Sequence, residues 1–351
     1  MKTNLISIAK VAGVYTAIIL GAGFASGQEL LQYFVMYGNY GFAGFLFSGV
    51  VFAVVGWAVL DICLKQRFTD YRQLIGYLLG ERLGHVTEYV IAAFLLVLFA
   101  TMLAAGGAAM RQAYHMPFMA GVLGIGVLCL FTFLFDVNGI VKINAILAPF
   151  MLVGGIFIGL YAFLNMYVSS FSTHVQPTAA RNWVTGATLY ASYNIITAIS
   201  VLASLHSVVS SKAIAKWGGI LGGVCMTLLG ICMALPLFLS YNQIHALQIP
   251  MLHIAQHYGK PMELLYLLIL LAAIFTTAAS NGFALLEWLA PKINVPSLML
   301  KAGVVLVAVG FSELGFSTFV SSVYPIFGYV GFLEICLVLW GWYRCKNKRD
   351  A

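Results

Sequence analysis

The stretch "GAGFASGQEL", residues 21–30, lies inside an apolar run that extends from about residue 11 to residue 37. Three glycines in seven residues, followed by glutamine and glutamate, interrupt this run where a membrane helix would cross the lipid. Ser26 and Glu29 fit the S-x-x-E capping box, which marks the start of a helix. We therefore predict that the first membrane span consists of two half-helices that meet near residues 21–27. Irregular backbone at this depth must face protein or a watery cavity.

The composition places the whole chain in a membrane. Of 351 residues, 62% are hydrophobic and 8% are charged, whereas a soluble domain carries roughly 25% charged residues. Many apolar stretches reach the roughly 18 residues needed to cross a hydrocarbon core of about 30 Å. We predict an all-α integral membrane protein. The net charge of +7 then reflects membrane topology, and no nucleic-acid partner is expected.

Hydropathy, turn residues and charges predict ten transmembrane helices. Their approximate limits are 8–37, 41–64, 86–111, 118–136, 140–166, 183–209, 214–240, 262–290, 297–312 and 318–343. With the N-terminus inside, fifteen Lys and Arg residues lie on the inner side. Arg111, Arg181 and Lys260 lie on the outer side. This positive-inside bias predicts that both termini are cytoplasmic.

The two halves of the chain share a pattern. The first and sixth spans both carry small and polar residues at their centres, "GAGFASGQ" and "YASYN" (190–194). Because five helices per half is an odd number, two similar halves must insert with opposite topology, as inverted repeats do. We predict a 5+5 inverted repeat with halves 1–172 and 173–351 in one membrane domain. Helices 1 and 6 are both predicted to be discontinuous.

A broken helix exposes peptide dipoles of both signs. The half-helix that starts near Ser26 is expected to attract carboxylates and other anions. The carbonyls of Gly21 and Phe24 are expected to be unpaired and to suit a cation. The alternative is a kinked helix whose glycines pack against a neighbour. Glu29 is either a first-turn carboxylate that stabilises the half-helix or a site for proton coupling or a substrate amine.

These features resemble the amino acid–polyamine–organocation superfamily with its LeuT-type fold. Within it, "GAGFASGQE" resembles the YkvI-like amino-acid permeases of bacteria. The resemblance implies that the break in helix 1 binds a substrate carboxylate and that helix 6 completes the pocket. The implied substrate-binding residues are Gly23, Ala25, Ser26, Gly27, Tyr190, Ala191, Ser192, Tyr193 and Asn194. It also implies a multi-pass protein of the bacterial inner (plasma) membrane.

The same resemblance implies a sodium site between helices 1 and 8. The implied ligands are the carbonyls of Gly21, Phe24 and Ala273 and the hydroxyls of Thr276 and Thr277. Neutral oxygens of this kind suit sodium, but ordinary hydrogen bonding between helices explains the two threonines equally well. With a proton as the coupling ion, the candidates are Glu29, Lys142 and Glu334. For Lys142, snorkelling to the interface is the competing explanation.

Transition-metal transport is not expected. The "DPGN" motif of the divalent-metal carriers with this architecture is absent, and residues 21–27 contain no acidic side chain. His245, His253 and His257 cluster before the eighth span, where solvated or packed histidines compete with zinc binding. No resident cofactor is expected besides Na⁺ or H⁺ as the coupling ion.

The sequence favours a secondary active transporter that moves a small amino acid or related compound by alternating access. The alternative is a non-transporting sensor or receptor subunit that binds a small ligand in the same pocket. An enzyme is not expected, because we find no nucleophile with a base, no paired aspartates and no nucleotide loop. The expected partners are the lipid bilayer and a small molecule, with the chain as a monomer or weak homo-oligomer.

Overall fold

The computed structural model describes residues 2–134, 154, 157, 159–161, 164 and 182–347. Most of the predicted fifth span, 140–166, lies outside these residues, as does Lys142. The predicted boundary between the halves, after residue 172, also lies outside them. The described elements are all helical.

Twelve helices carry the description that follows. The first half contains α1 (Lys2–Ile19), α2 (Ala22–Ser26), α3 (Gln28–Tyr33), α4 (Tyr40–Gln66), α5 (Tyr71–Tyr114) and α6 (Phe118–Leu134). The second half contains α7 (Trp183–Ser204), α8 (Lys212–Leu239), α9 (Pro250–His257), α10 (Lys260–Leu289), α11 (Ser297–Ser312) and α12 (Tyr324–Asn347). Short helical turns cover Val35–Tyr37, Leu205–Ser207, Tyr241–Ile244 and Phe316–Thr318, and a π-helical turn covers Phe319–Val323.

Six described helical segments are long and apolar enough to cross a membrane, and three shorter apolar helices accompany them. These nine segments match nine of the ten predicted spans within the described residues. The helix that contains the predicted third span is longer than that span. This helix, α5, joins two helices across Gly80, whose φ is 75°. The spanning part is Arg82–Tyr114, and the turns before Gly80 start from an Asp70 cap that accepts from the Gln73 N–H at 2.9 Å. The remaining span, the predicted fifth at 140–166, is not tested by the described residues.

Glycines let α4 and α8 approach backbone to backbone. A Cβ at Gly223 would lie 2.5 Å from the Ala53 nitrogen, and one at Gly219 would overlap the backbone of Trp57. The stretch "GGILGG", residues 218–223, therefore serves close helix packing. The Tyr15 ring of α1 packs on this pair, and its hydroxyl donates to the Phe52 carbonyl at 2.9 Å. This packing fixes the part of α1 that precedes the break.

Helix α7 packs on α4 and on α12. The Ser48 hydroxyl of α4 donates to the Ala187 carbonyl at 3.0 Å, and Gly331 of α12 sits against the Ser192 carbonyl. Helix α1 packs on α8 as α7 packs on α4. In the predicted inverted repeat, α1 corresponds to α7 and α4 corresponds to α8, so these two contacts would be equivalent. The repeat itself stays a prediction.

The prediction that helix 6 is discontinuous is wrong, because α7 runs unbroken through residues 190–194. Its polar side chains bond back to the carbonyls of their own helix. Asn194 donates to the Tyr190 carbonyl at 2.9 Å, and Ser192 donates to the Thr188 carbonyl at 2.7 Å. No Gly or Pro follows Gly186 in α7, so the backbone has neither a missing Cβ nor a missing N–H at which to break.

Candidate functional site

The first span is interrupted twice, which confirms the predicted break. Helix α1 ends at Ile19, Gly21 is extended with φ −76° and ψ −177°, and α2 forms little more than one turn. Gly27 then takes the left-handed conformation, φ 82° and ψ −5°, before α3 begins. A Cβ at Gly27 would lie 2.7 Å from the Cγ atom of Met251 in α9. Only glycine meets both the angle and the contact without strain.

Ser26 connects the two short helices, but the predicted capping box is wrong. Its hydroxyl donates to the Gly23 carbonyl at 2.7 Å and accepts from the Gln28 N–H at 3.1 Å. The cap of α3 is Gly27, with no side-chain capping bond. The left-handed turn at Gly27 brings the Gln28 amide, and not the Glu29 amide, to the serine oxygen. The Glu29 side chain is therefore not used in a capping box and takes another position.

The predicted unpaired carbonyls also differ from the structure. The Gly21 carbonyl accepts from the Ala25 N–H at 3.0 Å, and the Phe24 carbonyl accepts from the Gly27 N–H at 3.0 Å. The Ala25 carbonyl accepts from the hydroxyl of Tyr266 in α10. The short helix α2 therefore satisfies these groups by itself and through α10. A carbonyl keeps a second lone pair, so a cation can still bind it.

The Glu29 carboxyl group folds back over Gly23. It is 6% exposed, and a Cβ placed on Gly23 would lie 2.6 Å from the Glu29 Cδ atom. The carboxylate faces the hydroxyl of Tyr193 and interacts electrostatically with Tyr33 and Tyr190. The glycine thus makes the space in which a buried acid lies at the break.

Tyrosines from three helical segments surround this acid. The ring centroids of Tyr33 and Tyr190 are 5.8 Å apart, those of Tyr33 and Tyr193 are 5.5 Å apart, and those of Tyr190 and Tyr193 are 5.7 Å apart. The Tyr324 ring packs against Tyr193 in a tilted arrangement, with the two centroids 5.0 Å apart. The Tyr33 hydroxyl donates to the Val320 carbonyl at 2.8 Å. Among the described residues, the buried hydroxyls of the other three tyrosines make no hydrogen bond of normal geometry. Such groups suit a polar ligand.

The other residues implied for the pocket in helix 6 do not reach the acid at the break. Ser192 and Asn194 are hydrogen-bonded within α7, and the Ser192 carbonyl packs on α12. Ala191 is fully buried. Tyr190 and Tyr193 are the two members of "YASYN" that reach the acid at the break.

The threonines implied for sodium lie beside the first break. A Cβ on Gly21 would lie 3.9 Å from the Thr277 methyl carbon, so α10 passes next to the extended residue. The Thr276 hydroxyl donates to the Ala273 carbonyl at 3.1 Å within its own helix. This bond of Thr276 lies within one helix and is not the bonding between helices that the alternative describes, so both explanations stay open. The methyl group of Thr277 is the part of the pair that faces helix 1.

Glu334 lies apart from Glu29. It is buried on α12, where the hydroxyl of Tyr71 from the start of α5 faces it. Within the described part of the chain, neither carboxylate oxygen has a hydrogen-bond partner of normal geometry. The structure does not bring the two candidate proton-coupling acids together, and Lys142 lies outside the described residues.

Sequence reasoning missed several residues of the site: Gln28, Tyr33, Tyr266 and Tyr324. Tyr33 lies four residues after Glu29, which is the helical spacing that places two side chains on one face. That spacing is the signal that was available. Tyr266 and Tyr324 come from distant parts of the chain, and no local pattern marks them.

Two curated proteins match almost the whole chain. It is 27% identical over 339 residues to YkvI, an uncharacterized membrane protein of Bacillus subtilis (strain 168), with 97% of each chain covered. It is 28% identical over 325 residues to the uncharacterized protein YyaD of the same strain, covering 92% of this chain and 93% of YyaD. The predicted resemblance to YkvI is confirmed. No family model matches the chain.

Solved structures share the fold of this YkvI-like chain. An inward-facing conformation of Mhp1 superposes with a TM-score of 0.58 at 14% identity, covering 93% of this chain and 75% of Mhp1. A manganese transporter of Eremococcus coleocola gives 0.54 at 16% identity, covering 96% and 77%. A closed conformation of Mhp1 with bromovinylhydantoin bound also gives 0.54, at 14% identity, covering 88% and 73%. Mhp1 and the manganese protein are both transporters. The fold is therefore LeuT-like.

Proposed function

We propose that this protein is a secondary active transporter that moves a small amino acid or related compound by alternating access. The observation that carries the proposal is the double interruption of the first span at Gly21 and Gly27, beside a buried acid and unpartnered tyrosine hydroxyls. Broken helices with buried polar groups mark the binding sites of transporters with inverted repeats. The likeness in fold to Mhp1, a nucleobase-cation-symport-1 family transporter, supports a transport function.

The substrate is proposed to bind between the second interruption and α7. The Glu29 carboxyl group over Gly23 forms the floor of this site, and Tyr190 and Tyr193 form its opposite wall. The Tyr193 hydroxyl faces that carboxyl group. The buried Tyr190 hydroxyl has no hydrogen-bond partner among the described residues, so a polar group of the substrate would supply one. The aromatic rings provide apolar contact for the rest of a small molecule.

Coupling to Na⁺ is proposed at Gly21 and Thr277, with coupling to H⁺ through Glu29 or Glu334 as the alternative. The contact between Gly21 and the Thr277 side chain supports the first. The burial of both acids without a salt bridge among the described residues supports the second. Manganese transport is not proposed, since the described residues contain no group of three or more His, Cys, Asp or Glu that could hold a metal.

The test is uptake by the purified full-length protein in proteoliposomes, with a panel of labelled amino acids and amines. Either an inward Na⁺ gradient or an inward H⁺ gradient should drive accumulation above equilibrium, and an ionophore that collapses that gradient should abolish it. Failure of every compound to accumulate under both gradients would contradict the proposal.

For sodium coupling, Thr277→Ala should raise the Na⁺ concentration for half-maximal uptake by about tenfold, because one hard oxygen ligand is lost. Thr132→Ala is the matched control, since the Thr132 hydroxyl bonds only within α6, to the Leu128 carbonyl, among the described contacts. An unchanged sodium dependence in Thr277→Ala would move the proposal to protons.

A further inference from the structure

The chain places its own carboxylate where the family resemblance implies a substrate carboxylate. Gly23 belongs to the implied anion-binding segment, yet the Glu29 carboxyl group already covers it. A methyl group on Gly23 would overlap Oε1 of Glu29. A second carboxylate entering here would meet a like charge at close range in a buried site, which is strongly unfavourable.

Three of the backbone donors at the break are also engaged. The Ala25 N–H donates to the Gly21 carbonyl, the Gly27 N–H to the Phe24 carbonyl, and the Gln28 N–H to the Ser26 hydroxyl. Residues 11–39 and the whole of α7 contain no Lys, Arg or His. These segments therefore offer no cationic side chain to pair with a substrate carboxylate.

The same site has several groups that bind a cation. The four salt bridges of the described residues use Asp61, Glu88 and Glu263, and none uses Glu29. A buried carboxylate without a cation is costly at membrane depth, so a cationic ligand would be drawn to it. The Oε1 atom of the preceding residue, Gln28, is also buried without a hydrogen-bond partner among the described residues.

The rings of Tyr33, Tyr190 and Tyr193, which we call the tyrosine cage, pack on one another beside Glu29. A cation binds the face of an aromatic ring within about 6 Å of its centroid. Tyr33, Tyr190 and Tyr193 hold their centroids 5.5 to 5.8 Å from one another beside Glu29. The free hydroxyl of Tyr190 can accept a hydrogen bond from an ammonium group.

We propose that the substrate is an organic amine cation without a carboxylate, and that Glu29 supplies the carboxylate that an amino acid would bring. The proposal rests on the proposed transport function and names the substrate class of that site. The ammonium group pairs with Glu29 next to the tyrosine cage, and the rest of the amine lies against the rings.

The test uses matched pairs of an amine and the amino acid that differs by one carboxylate: tyramine and tyrosine, histamine and histidine, isobutylamine and valine, putrescine and ornithine. Binding to the purified full-length protein is measured as a thermal shift over a range of concentrations. At least one amine should bind the wild-type protein about tenfold or more tightly than its amino acid. Glu29→Gln should weaken that amine by about tenfold to a hundredfold, because a charge-assisted hydrogen bond is lost.

The Glu29→Ala variant distinguishes loss of the contact between Glu29 and the amine from general damage to the fold. It vacates the space over Gly23, so it should shift the preference towards the amino acid of the pair by about tenfold or more. Gly23→Ala should weaken the amine, since the methyl group displaces the carboxylate. Gly13→Ala is the matched control on α1, because a Cβ there meets nothing within 4 Å, and it should bind like the wild type.

Equal or tighter binding of the amino acids by the wild type would overturn the proposal, as would an unchanged preference in Glu29→Ala. Failure of every amine to stabilise the wild type would overturn it as well. The transport proposal fails separately. Amine binding without gradient-driven uptake would refute the transport proposal and leave the amine assignment standing. Gradient-driven uptake of amino acids alone would support transport and refute the amine assignment.

Discussion

Two membrane helices carry small and polar residues at their centres, and only one of them breaks. Residues 20–27 interrupt the first span twice, whereas residues 190–194 lie within an unbroken α7. The difference lies in the glycines. Gly27 has φ 82°, which other residues adopt at a cost, and α7 has no glycine after Gly186.

The comparison shows that polarity alone does not interrupt a membrane helix. In α7, Ser192 and Asn194 return their hydrogen bonds to carbonyls one turn earlier, so the helix keeps its backbone bonds and hides its polar groups. At the break, Ser26 bonds across two short helices, and Tyr266 of α10 reaches the Ala25 carbonyl. A break requires both a backbone that permits it and outside partners that satisfy it.

The largest expected effect is at Gly27. Gly27→Ala should lower the free energy of unfolding by at least about 2 kcal/mol, because it adds the left-handed penalty to overpacking against Met251 and Leu237. SDS titration in mixed micelles measures this free energy. Gly21→Ala is the matched control, since its φ of −76° suits any residue and its nearest contact is 3.9 Å away. Equal losses in both variants would contradict the assignment of the break to Gly27.

The next effect is at Ser26. Ser26→Ala removes one donor and one acceptor across the break and leaves the buried Gln28 N–H without its partner. The expected loss is about 1–2 kcal/mol in the same titration. If Ser26→Cys, a poorer hydrogen-bonding group of similar shape, unfolds like the wild type, the hydrogen bonds are not what holds α2 against α3.

The smallest effect is at Ser192. Ser192→Ala removes one bond to the Thr188 carbonyl inside a continuous helix, and the helix keeps its backbone bonds. The expected loss is below about 0.5 kcal/mol. A loss as large as that of Ser26→Ala would mean that the polar centre of α7 supports the fold as the break does.

The break in helix 1, the limits of most spans and the close packing of α4 on α8 follow from local pattern. Glycine spacing and apolar length are properties of short windows, and they dictate backbone angles and helix limits directly. The capping box was wrong because the motif allows two partners for Ser26, and only the turn at Gly27 selects between them. The break in helix 6 was wrong because a polar residue can bond within its own helix.

The tyrosine cage could be predicted only in part. Tyr190 and Tyr193 follow from the central position of "YASYN", and Tyr33 follows in principle from its spacing to Glu29. Tyr324 reaches the site only through the packing of α12 on α7. The position of the Glu29 carboxyl group over Gly23 depends on a side-chain direction that the sequence does not encode locally.

Hydrogen–deuterium exchange of the full-length protein in lipid nanodiscs tests the central claim most directly. Peptides that cover residues 20–29 should exchange at least about tenfold faster than peptides that cover residues 188–197, because a mid-membrane break opens locally while a continuous helix does not. A compound that binds the site should slow the first set and leave the second unchanged. Equally slow exchange in both segments, with and without such a compound, would contradict the account.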